Sequence, residues 1–178
     1  FDGAGTTFTN TGITSFGNAD ADSTTFAGAV STTASSSTEL AGLLSTGAAN
    51  GQIDLSAATL NANSDVIAGG GAINIASVTD GANAFNLQIQ DGAATGTVTI
   101  AGATTIDSLT TLAGTYAVDL QGGATITQDT SFLNDGALTI GSGAGTTSTF
   151  VGGLDTTNVA GTVTLNGTVA TTGTNLDL

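Results

Sequence analysis

The sequence predicts an all-β protein, specifically a parallel β-helix (β-solenoid) of about seven to nine coils of roughly 20–25 residues each. Three observations predict it. An apolar-polar-apolar triplet recurs along the chain, turn residues punctuate the intervals between triplets, and proline is absent from all 178 residues. Strict alternation with β-branched residues marks a strand with one buried face. Proline would delete a ladder hydrogen bond wherever a strand is paired on both sides, so its absence fits strands that are nearly all interior.

The triplets are IDL at 53–55, INI at 73–75, LQI at 87–89, VTI at 98–100, VDL at 118–120, LTI at 138–140, VTL at 163–165 and LDL at 176–178. Their outward residues are Asp54, Asn74, Gln88, Thr99, Asp119, Thr139, Thr164 and Asp177. Turn chemistry separates them: Asp-Gly at 2–3, 80–81, 91–92 and 135–136, Asn-Gly at 50–51 and 166–167, and glycine runs at 69–71, 122–123 and 152–153. Helical spacing is sustained nowhere. Residues 37–44, STELAGLL, are the best helix candidate, short and with a weak capping-box pattern, and helix is the less favoured reading there.

A longer repeat overlies the triplets. Residues 7–34 align without a gap on residues 131–158 at an offset of 124, matching Phe8 to Phe132, Asn10 to Asn134, Gly12 to Gly136 and Phe26 to Phe150. With a small shift of register, 53–55 falls on 176–178. The whole chain, 1–178, therefore reads as a single β-solenoid segment holding one long repeat and the start of the next, a piece of a tandem array.

Composition excludes more than it assigns. The chain has no Lys, Arg, His, Cys, Met or Trp, against 14 acidic residues, for a net charge of −14. Nucleic acid and anionic lipid surfaces are thereby poor partners, since Lys and Arg drive both interactions. No apolar run is long enough for a membrane-spanning helix. Ser and Thr are plentiful, but no His or Lys exists to activate them, so an enzyme is not expected. Trypsin-like proteases have no cleavage site. Together these features read as a durable material outside the cell.

The phrases Gly-Thr-Val-Thr-Ile/Leu and Gly-Ala-Leu-Thr-Ile (96–100, 136–140, 161–165), with Phe-Val-Gly-Gly-Leu at 150–154, resemble the β-strand-repeat surface proteins of bacteria. These include autotransporter passengers and filamentous-haemagglutinin-type adhesins. The resemblance implies a right-handed parallel β-helix, export across the envelope, and a role as stalk, adhesin or extracellular fibre. It carries over no functional residue.

Among candidate sites, Asp20 and Asp22, in the oxygen-rich stretch GNADADS, are the best metal hint, and they suit Ca²⁺. The aligned loop 141–147 has no carboxylate, so a solvated acidic turn is the favoured reading and no other cofactor is expected. Thr97/Thr99, Thr125/Thr127 and Thr162/Thr164 form Thr-x-Thr pairs of the kind that ice-binding solenoids stack on one face. The mixed outward residues of the triplets argue against a threonine ladder. Asn166-Gly167-Thr168 is an N-glycosylation sequon that an Asn-Gly turn already explains. The expected function is structural: a bacterial extracellular or cell-surface protein, self-associating head to tail through open β edges into a protease-resistant fibre or stalk. The alternative is an adhesin segment binding a glycan or host surface through solenoid loops.

Overall fold

The structure, a computed structural model, describes residues 5–47, 51–90, 93–172 and 175–178. The turns expected at 2–3 and 91–92, and Asn50 of the turn at 50–51, lie outside the described residues. Among the described residues there is no helix, and the paired strands run parallel. The chain is a β-solenoid.

One sheet carries eight strands in chain order: Thr6–Thr7, Val30–Ser31, Ile53–Leu55, Ile73–Ile75, Val98–Ile100, Val118–Leu120, Leu138–Ile140 and Val163–Leu165. Each strand begins 20 to 25 residues after the one before, which is the length of one coil, and the chain makes about eight of them. A second face starts with Ile13–Phe16, continues through the first halves of Ser37–Thr46 and Ala58–Ile67, then Val78–Thr79, Thr104–Ile106, Ala124–Ile126, Thr147–Phe150 and Thr168–Thr171. The third runs from Ser23–Phe26 through the second halves of the two long strands to Asn86–Ile89 and Ser108–Thr111, and resumes at Thr130–Ser131, Leu154–Asp155 and Leu176–Asp177. Where its ladder lapses, Thr111 bridges: its hydroxyl donates to the Ser131 carbonyl at 3.3 Å and accepts from the Leu133 N–H at 2.9 Å.

The triplets bury as their alternation demands. Ile53, Leu55, Ile73, Ile75, Val98, Ile100, Val118, Leu120, Leu138 and Ile140 are buried, and the residues between them face outward. Six of the eight predicted triplets stack in this first sheet; 87–89 and the 176–177 pair lie on the third face. Residues 37–44 belong to a strand, Ser37–Thr46. Thr38 and Leu40 point inward, a bulge at Leu40/Gly42 resets the alternation, and Leu44 and Thr46 point inward again. A helix there would lose ladder partners on both sides. Gly42 makes the bulge possible: its φ is +73°, and a Cβ on it would collide with the Asp22 carbonyl oxygen.

Glycine also sets the approach to the first sheet. Two residues before the strand stand Gly28, Gly51, Gly71, Gly96, Tyr116, Gly136 and Gly161. These corners stack so closely that a Cβ on Gly96 would strike the Gly71 carbonyl oxygen, and one on Gly71 the Gly51 carbonyl oxygen. Tyr116 is the exception and is fully buried, its hydroxyl donating to the Leu112 carbonyl at 2.7 Å and accepting from the Leu112 N–H at 2.8 Å.

The 124-residue repeat acquires a geometry. Thr6–Thr7 matches Thr130–Ser131, Ile13–Phe16 matches the Leu138–Ile140 region, Ser23–Phe26 matches Thr147–Phe150, and Val30–Ser31 matches Leu154–Asp155. Strand falls on strand, but each lands one face away: first on third, second on first, third on second. Packing follows the match. Phe8, Phe16 and Phe26, one from each face of the first coil, meet edge to face with ring centroids 5.4, 5.8 and 6.2 Å apart. Their counterparts are Phe132, Ile140 and Phe150, and Phe132 and Phe150 meet edge to face at 6.4 Å.

Candidate functional site

With no cation in the sequence, every carboxylate must be satisfied by N–H or O–H donors or by water. The structure does this largely within the chain. Asp20 accepts from the backbone N–H of Asn63 at 2.9 Å and from its side-chain amide at 3.0 Å. The Asn63 side-chain oxygen accepts from the Asn86 N–H at 2.8 Å, and the Asn86 side-chain oxygen accepts from the hydroxyls of Ser108 (2.9 Å) and Thr110 (2.8 Å). A polar string thus runs down the outside of four coils. Asp22 instead closes its own turn, one oxygen accepting from the N–H groups of Asn18 at 2.7 Å and Ala19 at 3.2 Å.

The two residues predicted as a calcium pair therefore serve different segments. Asp20 ties the 17–22 loop to the third coil, and Asp22 shapes the loop itself. Among the described residues no group of three or more acidic side chains is placed to hold a metal ion.

Several other acids follow the same logic. Glu39 accepts from Ser15 at 2.7 Å. Asp54 accepts from the Gln52 amide at 2.7 and 2.9 Å and from Asn74 at 2.8 Å. Buried Asp80 accepts from the Asp107 N–H at 2.7 Å, and Asp107 in turn accepts from Gln128 at 3.2 Å. Asp155 accepts from the Thr157 hydroxyl at 2.6 Å and its N–H at 2.8 Å, and these bonds hold its carboxyl below the usual range. Asp65, on the third face, has no such bond among the described residues, and burial pushes its carboxyl up.

Most polar groups inside the rod are committed too; Thr104 Oγ1 and the Asn134 side-chain oxygen are buried without a partner among the described residues. Thr32, Thr38 and Ser56 form a buried hydroxyl string with spacings of 2.6 and 2.9 Å. Gln90, buried and at φ 62°, uses its amide to accept from the Ala68 N–H at 2.9 Å and to donate to the carbonyls of Gly71 and Gly96 at 3.3 Å. Asn134 caps the same corner two coils on, donating to the Gly136 carbonyl at 3.0 Å. The Asn166 amide of the sequon donates to the Gly141 carbonyl at 3.1 Å, in keeping with its turn role.

The outward surfaces differ from face to face. On the first, the register stacks Ser31, Asp54, Asn74, Thr99, Asp119, Thr139 and Thr164 in one column. The mixture expected of the triplets is found here, and Thr97/Thr99 and Thr162/Thr164 sit on it three coils apart. A cleft of about 280 Å³ opens beside Thr33, Asp54, Asn74, Ala76 and Thr99. The second face corrects the expectation that no threonine ladder exists. Thr59, Thr79, Thr105, Thr125 and Thr149 stand in register on five consecutive coils. Thr125 belongs to one of the Thr-x-Thr pairs, but the column as a whole lies between the triplets, in small-Thr-large phrases (58–60, 104–106, 124–126, 148–150).

Chemically, the molecule offers hydrogen-bonding surfaces of fixed pitch and no acid–base pair with a cationic partner. No family model, curated protein or solved structure matches this chain.

Proposed function

We propose that the chain is a structural rod of an extracellular fibre or surface stalk, propagated by end-to-end pairing of copies. The observation that carries this reading is the state of the two terminal coils. Inward residues of the middle coils are buried, whereas in the eighth coil Val163, Leu165 and Val169 are only partly covered and Leu176 is 43% exposed. In the first coil the strands pair on one side only among the described residues. Unpaired edges backed by apolar side chains are templates for further strands. The absence of Lys and Arg removes tryptic sites, which suits a material exposed to proteases. The reading assigns no catalysis, no nucleic acid and no membrane insertion, and it treats Ca²⁺ as a modulator of repulsion between rods.

Electron microscopy of the purified chain at neutral pH, with and without millimolar Ca²⁺, tests this. Filaments with an axial repeat of about 38 Å, eight rungs at the usual strand spacing, are the expected result. Isolated short rods under both conditions would overturn it. The second reading, a glycan-binding adhesin segment, draws on the cleft of the first face, where Asp54, Asn74 and Thr99 present carboxylate, amide and hydroxyl together. Chemical-shift changes at those residues on adding oligosaccharides would favour it.

A further inference from the structure

We propose that the second face is an ice-binding surface, recognising the ordered, uncharged hydrogen-bonding lattice of a water crystal. The central column, Thr59, Thr79, Thr105, Thr125 and Thr149, is held in strict parallel register. Its side chains therefore repeat at the rung spacing of about 4.8 Å, near the oxygen repeat along the a axis of hexagonal ice. β-Branched side chains have few rotamers in a strand, so the array is stiff before any ligand arrives.

Two further observations point to this occupant. The first is charge. Beside the threonines runs a column of Ala57, Ser77, Ala103, Gly123, Thr147 and Thr168, and neither column holds a carboxylate from the third coil to the eighth. The other faces carry Asp54 and Asp119, or Asp65, Asp155 and Asp177, on their strands. Glu39 of the second coil stands in register with Thr59 at the start of the column; from there to the eighth coil a chain of net charge −14 has kept these two columns neutral, which matches a neutral lattice.

The second is hydrogen bonding. Outward hydroxyls on the other strands are often spent within the protein, as Thr25 on Ser45 and Thr110 on Asn86. The hydroxyls of Thr59, Thr105, Thr125 and Thr149 have no protein partner among the described residues. Within the column the Thr79 hydroxyl accepts from the Gly81 N–H at 3.0 Å, and the other four, on the third, fifth, sixth and seventh coils, are left for water. A crystalline polysaccharide is the competing occupant, but it would call for an aromatic platform. The one tyrosine, Tyr116, is buried, and among the described residues no Phe lies outward on this face.

The experiment is thermal hysteresis and ice-recrystallisation inhibition on the intact chain, on Thr105→Lys and Thr125→Lys, and on Thr139→Lys of the first face as control. Circular dichroism melts confirm that each variant folds, as expected for side chains that point away from the core. The expected result is activity in the parent and the control and its loss in both second-face variants. No activity in the parent, or equal loss in the control, would overturn the proposal. Pull-down on crystalline cellulose or chitin without any effect on ice would overturn it in favour of the polysaccharide. Filament formation is unaffected by either outcome, so this test and that of the fibre fail independently.

Discussion

Gly96 shows how narrowly single positions are specified. Its hydrogen faces the Gly71 carbonyl oxygen, where a methyl group has no room. Gly96→Ala is expected to destabilise the protein by about 3 kcal/mol, from overpacking against backbone that cannot yield. Gly145→Ala is the counterpart: nothing lies within 4 Å of a Cβ there, and its φ is not in the left-handed region. That change should stabilise by about 0.5 kcal/mol through the unfolded state. Urea melts of the two variants check both signs. Asp119 is a different case. One carboxylate oxygen accepts from Gln121 at 2.8 Å, while the other is buried without a partner among the described residues. Its neighbours in the column are Thr99 and Thr139. Asp119→Thr removes the orphaned oxygen and joins the threonines, and a gain of about 1 kcal/mol at pH 7 is expected in the same melts.

At the level of the strand, two aspartates give stability opposite dependences on pH. The Thr157 bonds lower the folded value for Asp155, so its stabilisation is full above the ordinary aspartate value and is lost as pH falls through the depressed one. Burial raises the folded value for Asp65, so its ionised form works against folding above that raised value. This penalty fades as pH falls toward the ordinary value. Asp65→Asn should therefore raise the Tm at pH 7 and have no effect near pH 3, while Thr157→Val should lower the Tm at pH 7 and not at pH 2. Thermal melts across that range decide both.

Strands were the part of this fold most open to sequence reasoning. The period-two triplets are written in residue types that burial alone dictates, and the glycine two residues before them marks the corner. The third face was harder to read, because Thr130–Ser131, Leu154–Asp155 and Leu176–Asp177 are two-residue strands, too short for alternation to register. Residues 37–44 were ambiguous since a bulge at Gly42 breaks the alternation and leaves Leu40, Leu43 and Leu44 near helical spacing. Asp20 and Asp22 looked paired because sequence proximity cannot show that one reaches 43 residues ahead to Asn63. The threonine column was invisible for a similar reason. Its members are 20 to 26 residues apart, and only the register aligns them.

For the molecule as a whole, charge of a single sign opposes any close approach of copies, so assembly must be governed by screening. Light scattering at pH 7 should show little association at about 10 mM salt, where the Debye length is about 30 Å, and marked growth at about 1 M, where it is about 3 Å. Acidification to about pH 3, which protonates most carboxylates, should act in the same direction. If neither condition changes scattering, the terminal coils do not pair. The long repeat adds a property of another kind. Because 124 residues advance the chain by five coils and two further faces, a tandem run of such repeats behaves like a screw thread with a three-fold pitch. A patch borne on one side of the first repeat would come round to the next side in the second, and return to its starting azimuth only in the fourth. A stalk built this way would have no front or back: it would meet a surface with the same character whichever way it leaned.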